Sequence, residues 1–164
     1  MARSGEAGPL GSLWCDGGVR PLVSDDVWAS LTSSGSRRTY AAGEVLMSEG
    51  GAGTQVIVLI EGRVKVTRHE SDGTEVLLAI RGAGEIIGEM AVLDETVASA
   101  TVTALRSCAT RRLPAREFIE FVRSHDLALP MVRYASARRR ESDQIRIELS
   151  TLPVPSLVLW YVVC

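Results

Sequence analysis

Residues 84 to 102 read GEIIGEMAVLDETVASATV. Three of them could do chemistry together: Gly88, Glu89 and Ser99. A helical turn that follows a glycine leaves backbone N–H groups without partners, and those groups with the helix dipole attract an anion. Gly88 would let a phosphate come close to the backbone. Glu89 would repel a phosphate but can accept a hydrogen bond from a sugar hydroxyl, and Ser99 can donate one to a phosphate oxygen. Backbone amides, one hydroxyl donor and one carboxylate acceptor suit a sugar phosphate better than a bare phosphate. Yet the stretch holds no Lys or Arg. Taken alone, it reads as an ordinary helix start whose Glu89 complements the dipole.

No other constellation competes with it. Cys15, Cys108 and Cys164 are odd in number and far apart, without metal-ligand or disulfide-framework spacing. Cys108 reads as a small core residue within a strand. His69 and His125 read as surface residues. No nucleophile–base pair and no paired carboxylates stand out, so no enzyme and no metal are expected. A net charge of −2 gives no global pull toward nucleic acid or an anionic membrane. Lys65 is the only lysine among eighteen basic residues, a bias that fits a GC-rich bacterial genome. The N-terminus lacks an apolar signal core, and the apolar run LVLWYVVC is far short of the roughly 20 residues a membrane span needs. A cytoplasmic location is the expectation.

The elements that must position this stretch follow from periodicity. Residues 1–20 are Gly-rich and unpatterned, a flexible arm. SDDVWASLTSSG gives a short helix capped by Ser24 and stopped by Gly35. From Tyr40 to Pro114 the period is two, and nine of the fifteen glycines fall between positions 43 and 88. Short strands with turns this frequent predict a sandwich or barrel rather than alternating strands and helices. Asp72-Gly73 predicts a hairpin with a type I′ turn. PAREFIEFVRS returns to helical spacing, with Phe118, Phe121 and Val122 on one face.

Residues 127–152 predict one helix of about six turns, provided that Pro130 falls in its first turn. Met131, Ala135, Arg138, Ser142, Ile145, Leu149 and Leu152 are spaced 4, 3, 4, 3, 4, 3, which is the a/d repeat of a coiled coil. The seam is apolar at its ends and polar in the middle. Homodimerisation through Met131, Ala135, Arg138, Ile145 and Leu149 is the expectation, against a helix packed on its own domain. The Arg-rich stretch 133–146 also carries Glu141 and Asp143, and reads as a solvated face more than a DNA patch.

Between Arg38 and Leu152 the chain resembles the cyclic-nucleotide-binding domain of the cAMP receptor protein/FNR family of bacterial transcriptional regulators. YAAGEVLMSEG, VIVLIEGRVKV, SDGTEVLLAIRGAGEIIGEMAVLD and SATVTALRSC carry the likeness, with LPAREFIEFV and the long helix following in the family's order. The resemblance implies a mainly β fold with helices (α+β): a double-stranded β-helix jelly roll over residues 21–126, flanked by short helices, then a dimerisation helix over 127–152. It implies a ligand site at Gly88, Glu89, Met90, Ala91, Ala98 and Ser99, with Ser142 and Asp143 of the long helix near the base. Glu89 would take the ribose 2′-hydroxyl. The family's phosphate-binding Arg falls on Ala98, so cAMP, cGMP or another small anionic effector would be held weakly. Arg81, Arg106 and Arg123 are the cations that could substitute. Family regulators continue into a winged helix-turn-helix, and only twelve residues follow Leu152, so residues 153–164 are expected to be a hinge remnant and apolar tail without a DNA-binding domain. The alternative is an effector-free dimerisation or protein-interaction domain, or a fragment of a DNA-binding transcription factor.

Overall fold

The computed structural model describes residues 14–15 and 18–151. The expected apolar tail, and Leu152 of the seam, lie outside them. Nine strands form two sheets. The strands are β1 (Trp14–Cys15), β2 (Ser36–Tyr40), β3 (Val45–Met47), β4 (Gln55–Glu61), β5 (Val64–His69), β6 (Glu75–Arg81), β7 (Ile86–Ile87), β8 (Thr101–Ala104) and β9 (Cys108–Pro114). One sheet has the order β1-β6-β5-β8-β3 and the other β2-β9-β4-β7. All pairings are antiparallel except the short parallel contact of β1 with β6. The helices are α1 (Asp25–Ser33), α2 (Glu89–Leu93), α3 (Ala115–Ser124) and α4 (Ala128–Thr151). The expected jelly roll with a long C-terminal helix is what the chain forms.

The strand β4 explains the layering. Val56, Ile57, Val58 and Leu59 are all 0% exposed. Alternate side chains of a strand face opposite ways, so a strand covered on both faces reads as a continuous apolar run. Ile57 and Leu59 join the core between the sheets, with Leu46, Val64, Val102 and Cys108. Val56 and Val58 face a second core, where Leu31, Phe118, Phe121, Met131 and Tyr134 of the helices cover the outer side of the sheet.

Several local expectations hold. Ser24 caps α1 by accepting from the Val27 N–H at 3.4 Å. Pro130 sits in the first turn of α4, where a missing N–H is tolerated. Others are corrected. At the β5–β6 hairpin only Gly73 has positive φ, so the turn is not type I′. The Asp72 carboxylate accepts from the Thr74 N–H at 2.9 Å and Glu70 O accepts from the Gly73 N–H at 2.9 Å, giving a three-residue loop with glycine in the left-handed position. The end of the expected arm is engaged: Trp14–Cys15 pairs with Ile80 and Arg81, Val19 is fully buried, and its N–H donates to Gly84 O at 3.0 Å. His125 is half-buried and stacks on Phe121, with ring centroids 4.1 Å apart.

The long helix divides its duties. Met131 is buried in the second core of its own chain, so it is not available to a dimer seam. The reason is that α4 begins directly after α3 and packs its first turns on the sheet before leaving it. Leu129 and Val132 are exposed in the same turns.

Candidate functional site

Gly88 ends β7 and starts α2 with φ +84. The left-handed φ is what favours glycine; a Cβ there would also push the flexible end of Met47 aside and stand 3.2 Å from Gln55 O. Glu89 opens α2 and is 3% exposed. Ala98 precedes β8 and is fixed by two backbone bonds: its N–H donates to Gly51 O and its carbonyl accepts from the Gly50 N–H, each at 2.8 Å. These turns border a partly open cavity of about 330 Å³, within the range of small-molecule sites.

Gly88, Glu89, Met90, Ala91, Ala98 and Ser99, the residues named for a ligand site, all line this cavity. The strands add Met47, Val66, Leu78 and Ala79 as an apolar floor. The helix α4 adds Ala135, Arg138 and Arg139. Asp143, expected here, is exposed and lies one turn past these residues, outside the lining. Ser142 belongs to α4, and its side chain lies outside what the structure describes. The same holds for Ile145 and Leu149 of the seam. Of the three substitute cations, Arg81 lines the cavity, while Arg106 and Arg123 are exposed elsewhere.

A buried polar chain ties α4 to this wall. Arg138 Nη1 donates to Glu89 Oε1 at 2.7 Å and to Ile86 O at 3.0 Å. Its guanidinium carbon lies 5.2 Å from the Tyr134 ring centroid, a cation–π contact. The Tyr134 hydroxyl donates to the Glu85 carboxylate and accepts from the Ile86 N–H at 3.2 Å. Burial pushes the Glu85 carboxyl upward, opposed by Arg138 and Arg81 and by the Tyr134 hydrogen bond. Burial also drives Tyr134 well above its usual range, which keeps the hydroxyl protonated. For Arg138 burial works against the charge, but Glu89, Tyr134 and Glu85 outweigh it and hold the guanidinium above its ordinary value. On β6, Arg81 is 2% exposed and pairs with Glu141 of α4.

The heptad reading placed Arg138 on an intermolecular seam. The structure turns it inward to Glu89, a contact between helix and cassette that spacing along one helix could not show. Arg81 could not be singled out from Arg106 and Arg123 by sequence because β6 is buried at consecutive positions near its end, so alternation gives no clue to which residue faces the cavity.

Two sheets, a glycine-bounded turn and a long helix surround a partly open cavity of the size that takes a small molecule. Residues 37–125 match the family described as cyclic nucleotide-binding domain, and the chain belongs to that family. It is 26% identical over 144 residues to the CRP-like cAMP-activated global transcriptional regulator of Mycobacterium tuberculosis, covering 86% of this chain and 63% of that protein. It is 31% identical over 112 residues to the cyclic AMP receptor protein of Thermus thermophilus, covering 65% of this chain and 50% of that protein. The chain thus spans between half and two thirds of the length of these relatives. Among solved structures, the N-terminal domain of a transcriptional regulator from Streptomyces coelicolor superposes with a TM-score of 0.60 at 30% identity, covering 77% of this chain and 89% of that one. The Thermus thermophilus catabolite activator protein gives 0.68 at 27% identity, covering 80% and 62%. Among the described residues no helix is long and apolar enough to cross a membrane.

Proposed function

We propose that this chain is the ligand-sensing module of a CRP-type transcriptional regulator, a cytoplasmic, non-catalytic domain that captures a cyclic nucleotide and passes the event to α4. The observation that carries the reading is the cavity itself. It gathers Gly88, Glu89, Ala98 and Ser99 beside Arg138 of the helix. Glu89 accepts the sugar hydroxyl and Ser99 donates to the phosphate. Because Glu89 already holds Arg138, a ligand that competes for this carboxylate shifts the attachment of α4. That differential contact is what a two-state switch requires. Homodimerisation would use the part of α4 beyond the cavity, around Ile145 and Leu149, together with Ala135.

Ala98 sets the expected strength. A charge-assisted hydrogen bond contributes roughly 1.5 to 3 kcal/mol, so its loss weakens binding by about ten- to a hundredfold. A site of micromolar type becomes one in the range of tens of micromolar to sub-millimolar. Calorimetric titration with cAMP and cGMP tests this. Weak saturable binding is expected. Low-micromolar affinity would contradict the weakening, and no binding would favour the effector-free dimerisation domain.

A further inference from the structure

The cation missing at position 98 has a counterpart in the same cavity. Arg81 stands at the end of β6, lines the cavity and is almost fully buried. One of its terminal nitrogens pairs with Glu141. Its Nε–H has no partner, and neither has the second oxygen of Glu141, though both atoms are buried. Buried polar groups are nearly always satisfied, so a spare donor on a buried guanidinium marks a place where something else binds.

The charges of the wall agree. Arg81, Arg138 and Arg139 line it, and Glu89 is the only lining carboxylate among the described residues. Glu141 contacts Arg81 without being part of the wall. Arg139 is exposed and makes no ion pair among the described residues. Arg138 is met by Glu89 and Arg81 by Glu141, which leaves Arg139 and the Arg81 Nε–H as the positive groups these carboxylates do not meet. An anion that displaces Glu141 would meet both.

We propose that Arg81 is the anion-binding residue of this cavity, filling the role left open by Ala98, and that Glu141 is an internal competitor which a bound phosphate displaces. The ligand class is a nucleoside cyclic phosphate, and in that respect the proposal rests on the sensor reading above. Displacement frees Glu141, and with it the α4 turn that it anchors to β6. The carboxylate holds the cation that the ligand needs, so its displacement adds to the weakening set by Ala98 and at the same time releases the helix.

The test is calorimetry on the full chain at fixed salt, with cAMP, cGMP and the matching uncharged nucleosides as titrants. Three proteins are compared: wild type, Glu141→Gln, and the double variant Arg81→Gln/Glu141→Gln, which removes both charges and leaves two amides able to hydrogen-bond. Circular dichroism melts establish that each is folded. Glu141→Gln is expected to bind a cyclic nucleotide about ten- to a hundredfold more tightly than wild type, with no gain for the nucleoside. The double variant is expected to lose that gain. Unchanged affinity in Glu141→Gln, or a gain retained by the double variant, overturns the role of Arg81 while leaving a cyclic-nucleotide site in place. Folded proteins that bind no cyclic nucleotide in any of the three forms overturn both readings.

Discussion

Replacing Arg138 with Met tests whether the helix is held to the cassette by charge. The substitution keeps much of the aliphatic stem and removes the guanidinium. Glu89, 3% exposed, loses its ion-pair partner at 2.7 Å, and Ile86 O loses a donor at 3.0 Å. Removing one member of a buried pair costs roughly 3–5 kcal/mol, because the other charge is left in low dielectric. The Arg138 side chain is 22% exposed, so water reaches part of the site, and about 2–4 kcal/mol is the better expectation. For a domain of this size that corresponds to a fall in Tm of about 5–15 °C. The double variant Arg138→Met/Glu89→Gln removes the stranded charge and should recover roughly 1–3 kcal/mol of the loss. Urea unfolding of the wild type, both single variants and the double variant closes the cycle. If the two single effects add to within about 0.5 kcal/mol, the pair is not coupled and the account of α4 as tethered through Glu89 is wrong.

Glu85 gives a pH signature. Its carboxyl is raised by burial in the folded chain. A raised acid favours folding below the ordinary carboxylate range, and that contribution is lost as pH rises through the folded value. The stability of Glu85→Gln minus that of wild type should therefore grow as pH climbs from about 4, as read from urea melts across pH 4–8; a flat difference contradicts the burial argument. Ile57→Ala empties a fully buried site between the sheets and should cost about 2–5 kcal/mol in the same assay. Ala98→Arg restores a cation at the cavity wall and should strengthen cyclic-nucleotide binding roughly ten- to a hundredfold by calorimetry; no change would mean that position 98 does not face the phosphate.

Much of the fold was legible because its signals are local. Period-two alternation and closely spaced glycines announce a sandwich before any contact is known. The cassette was legible through Gly88, whose positive φ in the structure is the reason for a glycine there. What the pattern missed depends on contacts distant in sequence. Heptad spacing treats Met131 and Arg138 as equivalent seam positions, but the sheet takes the first and Glu89 the second. Asp72-Gly73 marked the hairpin correctly, while the side-chain bond from Asp72 to Thr74 selected a different turn. Arg81 could be named as a spare cation, yet its place in the wall follows from the pairing of β6 with β5 on one side and β1 on the other.

The strand β4 has a consequence for the timescale of the molecule. Its backbone is paired to β9 on one edge and β7 on the other, and its side chains serve both cores. Its amides can therefore meet solvent only when the two cores come apart together. In hydrogen exchange they should be the slowest class and report the global unfolding free energy, while amides of α4 beyond the cavity exchange through smaller openings. The slow strand then acts as a fixed reference against which the helix's release by a ligand can be timed.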